Sequence, residues 1–304
     1  ELTVNGIIAM ILVSCVASPW ITERWGQRMK PDSAASTAIT PAELTSRVLV
    51  PVANPSTEDN LLQLAIILVK RSQGVLLPLH VLIDREGFIS PEARMQQTQL
   101  LGKAEEIAHA SVTQVEPIAR LDSTIDLGII RATNEHQASL VICGWKGYST
   151  YRENLFGSVI DNVVRLLSVP VLITRFPQPI KNTQRIVLAL AERQLSDEHV
   201  VEVVKLVQTL AEELKAKLVV LWLRRSPVET PFQMVPIDAI APEVPTERLA
   251  GSLPRRVAER VTQDDLIVLA ATTHRVGQPA LGKEAEAIAQ AHPNHSILVI
   301  HYPT

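Results

Sequence analysis

The stretch Ser139-Leu140-Val141-Ile142-Cys143-Gly144-Trp145-Lys146-Gly147, then nine residues from Tyr148 to Phe156, then Gly157-Ser158, decides the fold. An apolar run of strand length enters a glycine-bearing loop, and the loop delivers the chain into a helical pattern over Ser158–Leu167. Strand, loop and helix in that order are half of a βαβ unit. The chemistry suits a phosphate chain. Glycines let the backbone approach closely, and the first N–H groups of a helix opening at Ser158 point at an anion with the positive dipole end behind them. Ser158 adds a hydroxyl donor, and Lys146 and Arg152 lie inside the loop. The same glycines would equally serve a tight turn and close packing, so spacing alone leaves both uses open.

Working outward, apolar strand-length runs alternate with amphipathic helical patterns after residue 46. The first unit has strands at Arg47–Val52, Val75–Ile83, Val115–Leu121, Ser139–Cys143 and Val169–Thr174, with helices at Asp59–Arg71, Pro91–Ala110, Ser123–Glu135 and Ser158–Leu167. A second unit repeats the plan with strands at Arg185–Leu190, Lys217–Leu223, Asp265–Leu269 and Ser296–Ile300 and a helix at Asp197–Leu214. It is shorter, because Val81 to Val141 spans 60 positions where Leu223 to Ile267 spans 44. A Pro-rich stretch from Arg224 to Glu247 replaces the helix equivalent to Pro91–Ala110. The second loop, Ala270-Ala271 through His274-Arg275 and Gly277 to Leu281-Gly282-Lys283, breaks the glycine spacing and puts Lys where the first copy has Ser. An empty second pocket is expected.

Composition agrees. The 304 residues suit two domains, and a hydrophobic fraction of 46% with only 4% aromatic implies aliphatic cores of parallel sheet and covering helices. A net charge of −3 offers no field for a polyanion, so no nucleic acid partner is expected. Cys15 and Cys143 have no partner for a disulfide. His80, His109, His136, His199 and His274 lack ligand spacing, so no metal site is assigned. Neither a GxSxG elbow nor a GxxxxGK[ST] loop occurs, and the chain is expected not to be an enzyme.

The pattern G-x2-G-x9-G-[ST], followed by an apolar helix and the strand Pro170-Val171-Leu172, resembles the nucleotide motif of the ATP-binding universal stress proteins over roughly Ser46 to Phe176. The resemblance implies tandem Rossmann-like (HUP-like) α/β units with five-stranded parallel sheets of order 3-2-1-4-5. It further implies that ATP or a related adenine nucleotide lies over the carboxyl ends of strands one and four, the switch point of such sheets. Gly144, Gly147, Gly157 and Ser158 would hold the phosphates with Lys146 nearby, the backbone near Val81 would meet the adenine, and Ala53 and Asn54 would lie beside the ribose. One residue departs from the pattern. ATP-binding members usually carry an Asp two residues beyond the first-strand Pro, but here Pro51-Val52 is followed by Ala53. Asn54 and Ser56 offer hydrogen bonds and no charge to pair with Mg²⁺.

Before the repeats, Val4–Ile21 carries no charge and is long enough to cross a bilayer, with Trp20 and Trp25 in belt positions and Arg24, Arg28 and Lys30 after them. Those cations place the following residues in the cytoplasm. The segment ending in Pro19 and Thr22-Glu23-Arg24 resembles the last transmembrane helix of bacterial monovalent cation:proton antiporters. The expected organisation is a transmembrane helix (1–28), a linker (29–45), a nucleotide-binding stress domain (46–178) and a degenerate one (179–304). The resemblance implies a cytoplasmic regulatory region of a Na⁺/H⁺ or K⁺/H⁺ antiporter whose transport core precedes Glu1, with pairing between chains left open. A structural dimerisation module with a vestigial pocket is the alternative. An ATPase or nucleotidyl transferase is the weakest, since no general base is evident.

Overall fold

Strands and helices alternate through the computed structural model, which describes residues 41–84, 89–147, 158–191, 197–224, 242–271 and 281–303. The apolar segment Val4–Ile21, the loop Tyr148–Phe156 with Gly157, and the second loop at 272–280 lie outside the described residues. In the first repeat the strands are β1 (Arg47–Pro51), β2 (Val75–Ile83), β3 (Gln114–Val115), β4 (Ile118–Asp122), β5 (Leu140–Gly144) and β6 (Val171–Arg175). The second repeat supplies β7 (Arg185–Ala191), β8 (Lys217–Arg224), β9 (Thr246–Ala250), β10 (Asp265–Ala270) and β11 (Ser296–His301).

All eleven belong to one sheet, along the path β3-β2-β1-β5-β6-β11-β10-β7-β8-β9 with β4 also on β2. Each repeat contributes its strands in the sequence third, second, first, fourth, fifth, and the correction to the expected tandem five-stranded parallel sheets is that the two merge into one eleven-stranded sheet with an antiparallel join. The join is between β6 and β11, which pair antiparallel with Val171 opposite His301 and Arg175 opposite Ile297, while the other described ladders are parallel. Both are apolar edge strands whose unpaired N–H and C=O groups would otherwise face water or a foreign strand. Pairing them satisfies both edges at once.

Because side chains alternate across a strand, each buried strand feeds two cores. Val48 and Val50 belong to a core that also holds residues of helices Pro55–Ser72, Pro91–Ala110 and Asp197–Leu214. Leu49 belongs to the core on the other face, which also holds residues of helices Ile125–Glu135, Val159–Leu166, Leu253–Ala258 and Gly282–Ala291. Each core contains residues of both repeats, so the join continues through both helical layers.

Local chemistry explains most boundaries. Helix Pro55–Ser72 starts four residues before the predicted Asp59, because Asn54 caps it and Pro55 fills its first turn. Ser90 with Pro91 and Thr124 do likewise for the next two helices. The predicted third strand Val115–Leu121 is split into β3 and β4, and Pro117, which lacks an N–H, sits at the break. The last residues of the predicted linker 29–45 form a helical turn, Pro41–Leu44, with Leu44 buried. The Pro-rich stretch runs into β9, an edge strand of mostly exposed side chains paired parallel with β8. Helices Leu253–Ala258 and Gly282–Ala291 complete the second repeat's cover, and neither is among the predicted elements.

Candidate functional site

A cavity of about 610 Å³ opens over the carboxyl ends of β1, β5 and β6. β1 and β5 are neighbours in the sheet although β2 to β4 intervene in the chain, so the cavity lies at a switch point. Its volume falls within the usual range of small-molecule sites, roughly 300 to 1,000 Å³. One part of the wall is apolar, from Ile125, Ile129, Ile160 and Val163. Another is polar, from Asn54, Thr57, Lys146 and Ser158.

Of the residues singled out in the sequence, Ala53, Asn54, Gly144, Lys146 and Ser158 come together on this wall. Gly147 sits behind it with φ +92°, and a Cβ there would lie 2.5 Å from Arg175 Nη1, so both conformation and space demand glycine. Gly157 lies outside the described residues. Val81 is not on the cavity wall. It pairs with Arg120 of β4, and its Cγ1 lies 2.6 Å from where a Cβ on Gly128 would be. The preceding His80 is buried and donates from Nδ1 to Val52 O at 2.6 Å, tying β2 to the end of β1.

The polar groups have other obligations. Asn54 Oδ1 accepts from Ser56 N (3.0 Å) and Ser56 Oγ (2.8 Å) as the cap of its own helix. Ser158 forms a capping box: its Oγ accepts from Asp161 N at 3.1 Å, and its own N–H donates to Asp161 Oδ2 at 2.9 Å. Ser158 Oγ also lies 2.9 Å from that carboxylate oxygen. A carboxylate therefore stands at the helix N-terminus where an anionic ligand would be stabilised. A phosphate entering here competes with Asp161 for the Ser158 donors.

Three residues of the site were not legible in the sequence. Glu58, in the first turn of helix Pro55–Ser72, borders the cavity, yet its side chain is 0% exposed and neither carboxyl oxygen has a hydrogen-bond partner. Burial pushes this carboxyl up to about 7, opposed by Lys103 and reinforced by Asp59. Lys103 Nζ is 4.0 Å away and sits closer to Asp59, at 2.6 Å. Arg175 closes β6, and Pro293 reaches the wall from the second repeat. Arg175 shows in the sequence only as a charge ending an apolar run, and nothing there places it against Gly147. Cys143 also borders the cavity, with burial pushing its thiol up to about 12 and so out of thiolate chemistry.

A divalent cation is poorly served. Among the described residues no three of His, Cys, Asp and Glu converge as metal ligands. Ala53 offers no oxygen in its side chain, Asn54 is committed to its cap, and Glu58 is shielded from solvent.

Doubly wound α/β architecture with a switch-point cavity defines the class, and the comparisons refine it. Residues 45–175 match the universal stress protein family, and that segment is a universal stress protein domain. The Na(+)/H(+) antiporter NhaS5 of Synechocystis sp. is 30% identical over 213 residues, 60% of this chain and 30% of that protein. The chain thus spans under a third of the length of its curated relative. A universal stress protein from Archaeoglobus fulgidus superposes with a TM-score of 0.60 at 16% identity, covering 85% of this chain and 96% of that one. The cytoplasmic domain of a prokaryotic cation chloride cotransporter gives 0.57 at 15% identity, covering 84% and 95%. At such identities these two show the fold, and their coverage extends well beyond residues 45–175.

Proposed function

We propose that this chain is the cytoplasmic regulatory region of a bacterial cation:proton antiporter and that its first repeat binds an adenine nucleotide. The observation that carries the proposal is the switch-point cavity, which has an apolar wall for a purine base and a polar one, at Gly144, Lys146 and Ser158, for phosphates. The antiporter likeness supports the transporter setting. Among the described residues no helix is long and apolar enough to cross a membrane. The apolar segment Val4–Ile21, which lies outside those residues, is the anchor in this reading, and the repeats face the cytoplasm. The ligand acts as a signal, and we assign no catalysis.

A second reading, a structural module with a vestigial pocket, is favoured by the Ser158–Asp161 capping box and by Ala53. Equilibrium binding separates the two. Titrating the purified chain with ATP, AMP and cyclic dinucleotides is expected to show saturable binding of an adenine nucleotide, one per chain. Absence of binding to all of them would leave the structural reading standing.

A further inference from the structure

We propose that the second repeat completes the ligand site of the first: Arg175, clamped by second-repeat carbonyls, is the cation that meets the ligand's phosphate, and Pro293 walls the same end. This rests on the nucleotide reading above and adds to it a residue and a role for the second repeat.

Arg175 lies at the end of β6, opposite Ile297 of β11, on the seam between the repeats. Its guanidinium packs on Gly147, where an added Cβ would come within 3.4 Å of Nη1, Cδ and Cζ. From the other side, Nη1 donates to Ala289 O at 2.9 Å, and Nη2 donates to His292 O at 2.5 Å and His295 O at 3.3 Å. These carbonyls belong to the C-terminal end of helix Gly282–Ala291 and the turn after it, where carbonyls lack intrahelical donors and the dipole is negative. The second repeat thereby fixes the position of a side chain that borders the first repeat's cavity.

The clamp holds the guanidinium without neutralising it. Among the described residues no carboxylate forms an ion pair with Arg175; its partners are neutral carbonyls, and its Nε–H is buried with no acceptor. The His292 imidazole lies near enough to feel its charge. The His292 ring is held below the usual histidine range by burial, then by His295 and by Arg175 itself. A forked cation with donors to spare, beside a glycine loop, suits a phosphate group. Ser158, by contrast, is already engaged with Asp161. Pro293, exposed and directly after His292, lets the second repeat be tested without replacing Arg175 itself.

The test compares AMP with adenosine by calorimetry on the full chain, in wild type, Arg175→Gln, Arg175→Lys and Pro293→Glu. Losing a charge-assisted hydrogen bond predicts AMP binding weakened roughly tenfold to a hundredfold in Arg175→Gln, with adenosine binding unchanged and Arg175→Lys between them. Pro293→Glu, a surface change that sets a negative charge at the same end, is expected to weaken AMP and spare adenosine, and it carries the test if Arg175→Gln does not fold. AMP affinity within twofold of wild type in Arg175→Gln or in Pro293→Glu overturns the inference alone, as does a parallel loss of AMP and adenosine, the mark of a seam residue with a structural role only. A wild-type chain that binds neither ligand overturns the nucleotide reading as well.

Discussion

Replacing Glu58 with Gln removes a carboxyl that the fold buries without a hydrogen-bond partner. Its rise from an ordinary 4.5 to about 7 means that the folded protein holds this proton more tightly than the unfolded chain does. Between those two values the folded state therefore binds more protons, and stability falls as pH rises through the window. The penalty is absent at lower pH and complete at higher pH, where it approaches about 3 kcal/mol. Lys103, at 4.0 Å and drawn toward Asp59, relieves only part of it. Gln lacks the charge, so the variant escapes the pH-dependent part, while any cost of burying its amide is the same at every pH. Urea unfolding of both proteins at pH 5 and pH 8.5, followed by tryptophan fluorescence, is expected to show the variant gaining about 2 to 3 kcal/mol on wild type across that interval, with m unchanged. A stability difference that does not move with pH would refute the argument, because it would mean that the folded protein carries this carboxyl in its ordinary range.

Two further outcomes follow from the geometry. Gly147→Ala forces a side chain into a φ of +92° and against Arg175, and should lower stability by about 1 to 3 kcal/mol, whereas Gly144→Ala, where the new Cβ would meet Leu61 Cδ1 at 3.4 Å, should change it far less. Thermal unfolding of the two variants side by side checks this, and equal effects would count against the conformational argument. Leu298→Ala, in β11 next to the seam and 1% exposed, should cost about 2 to 5 kcal/mol while unfolding stays a single transition, because both cores run through both repeats. Calorimetry resolving two transitions, one of them unshifted, would mean that the repeats fold independently.

Much of this protein is determined by sequence through local rules. Aliphatic runs such as RVLVPV and RIVLAL become strands because both of their faces are buried, and the periods of Pro91–Ala110 and Asp197–Leu214 match the observed helices end for end. Asn54-Pro55 was a legible helix start whose capping chemistry outranks the apolar period that begins later. β9 was illegible, since an edge strand of Thr, Glu, Arg, Leu and Ala that is exposed at three of its five positions carries little apolar signal, and its ladder with β8 fixes it. The glycine loop identified the cavity's neighbourhood and its wall residues Gly144, Lys146 and Ser158, and the family resemblance added Ala53 and Asn54. What sequence could not decide depends on distance in space. Two apolar edge strands, β6 and β11, could each have paired with another chain, and only tertiary structure joins them to each other. That join brings the carbonyls of Ala289, His292 and His295 to Arg175, more than a hundred residues away along the chain. Burial likewise turns Glu58 from an unremarkable first-turn acid into a group that titrates near neutrality. Periodicity and capping act between near neighbours and can be read in order along the chain, whereas desolvation and seam contacts depend on which distant surfaces meet.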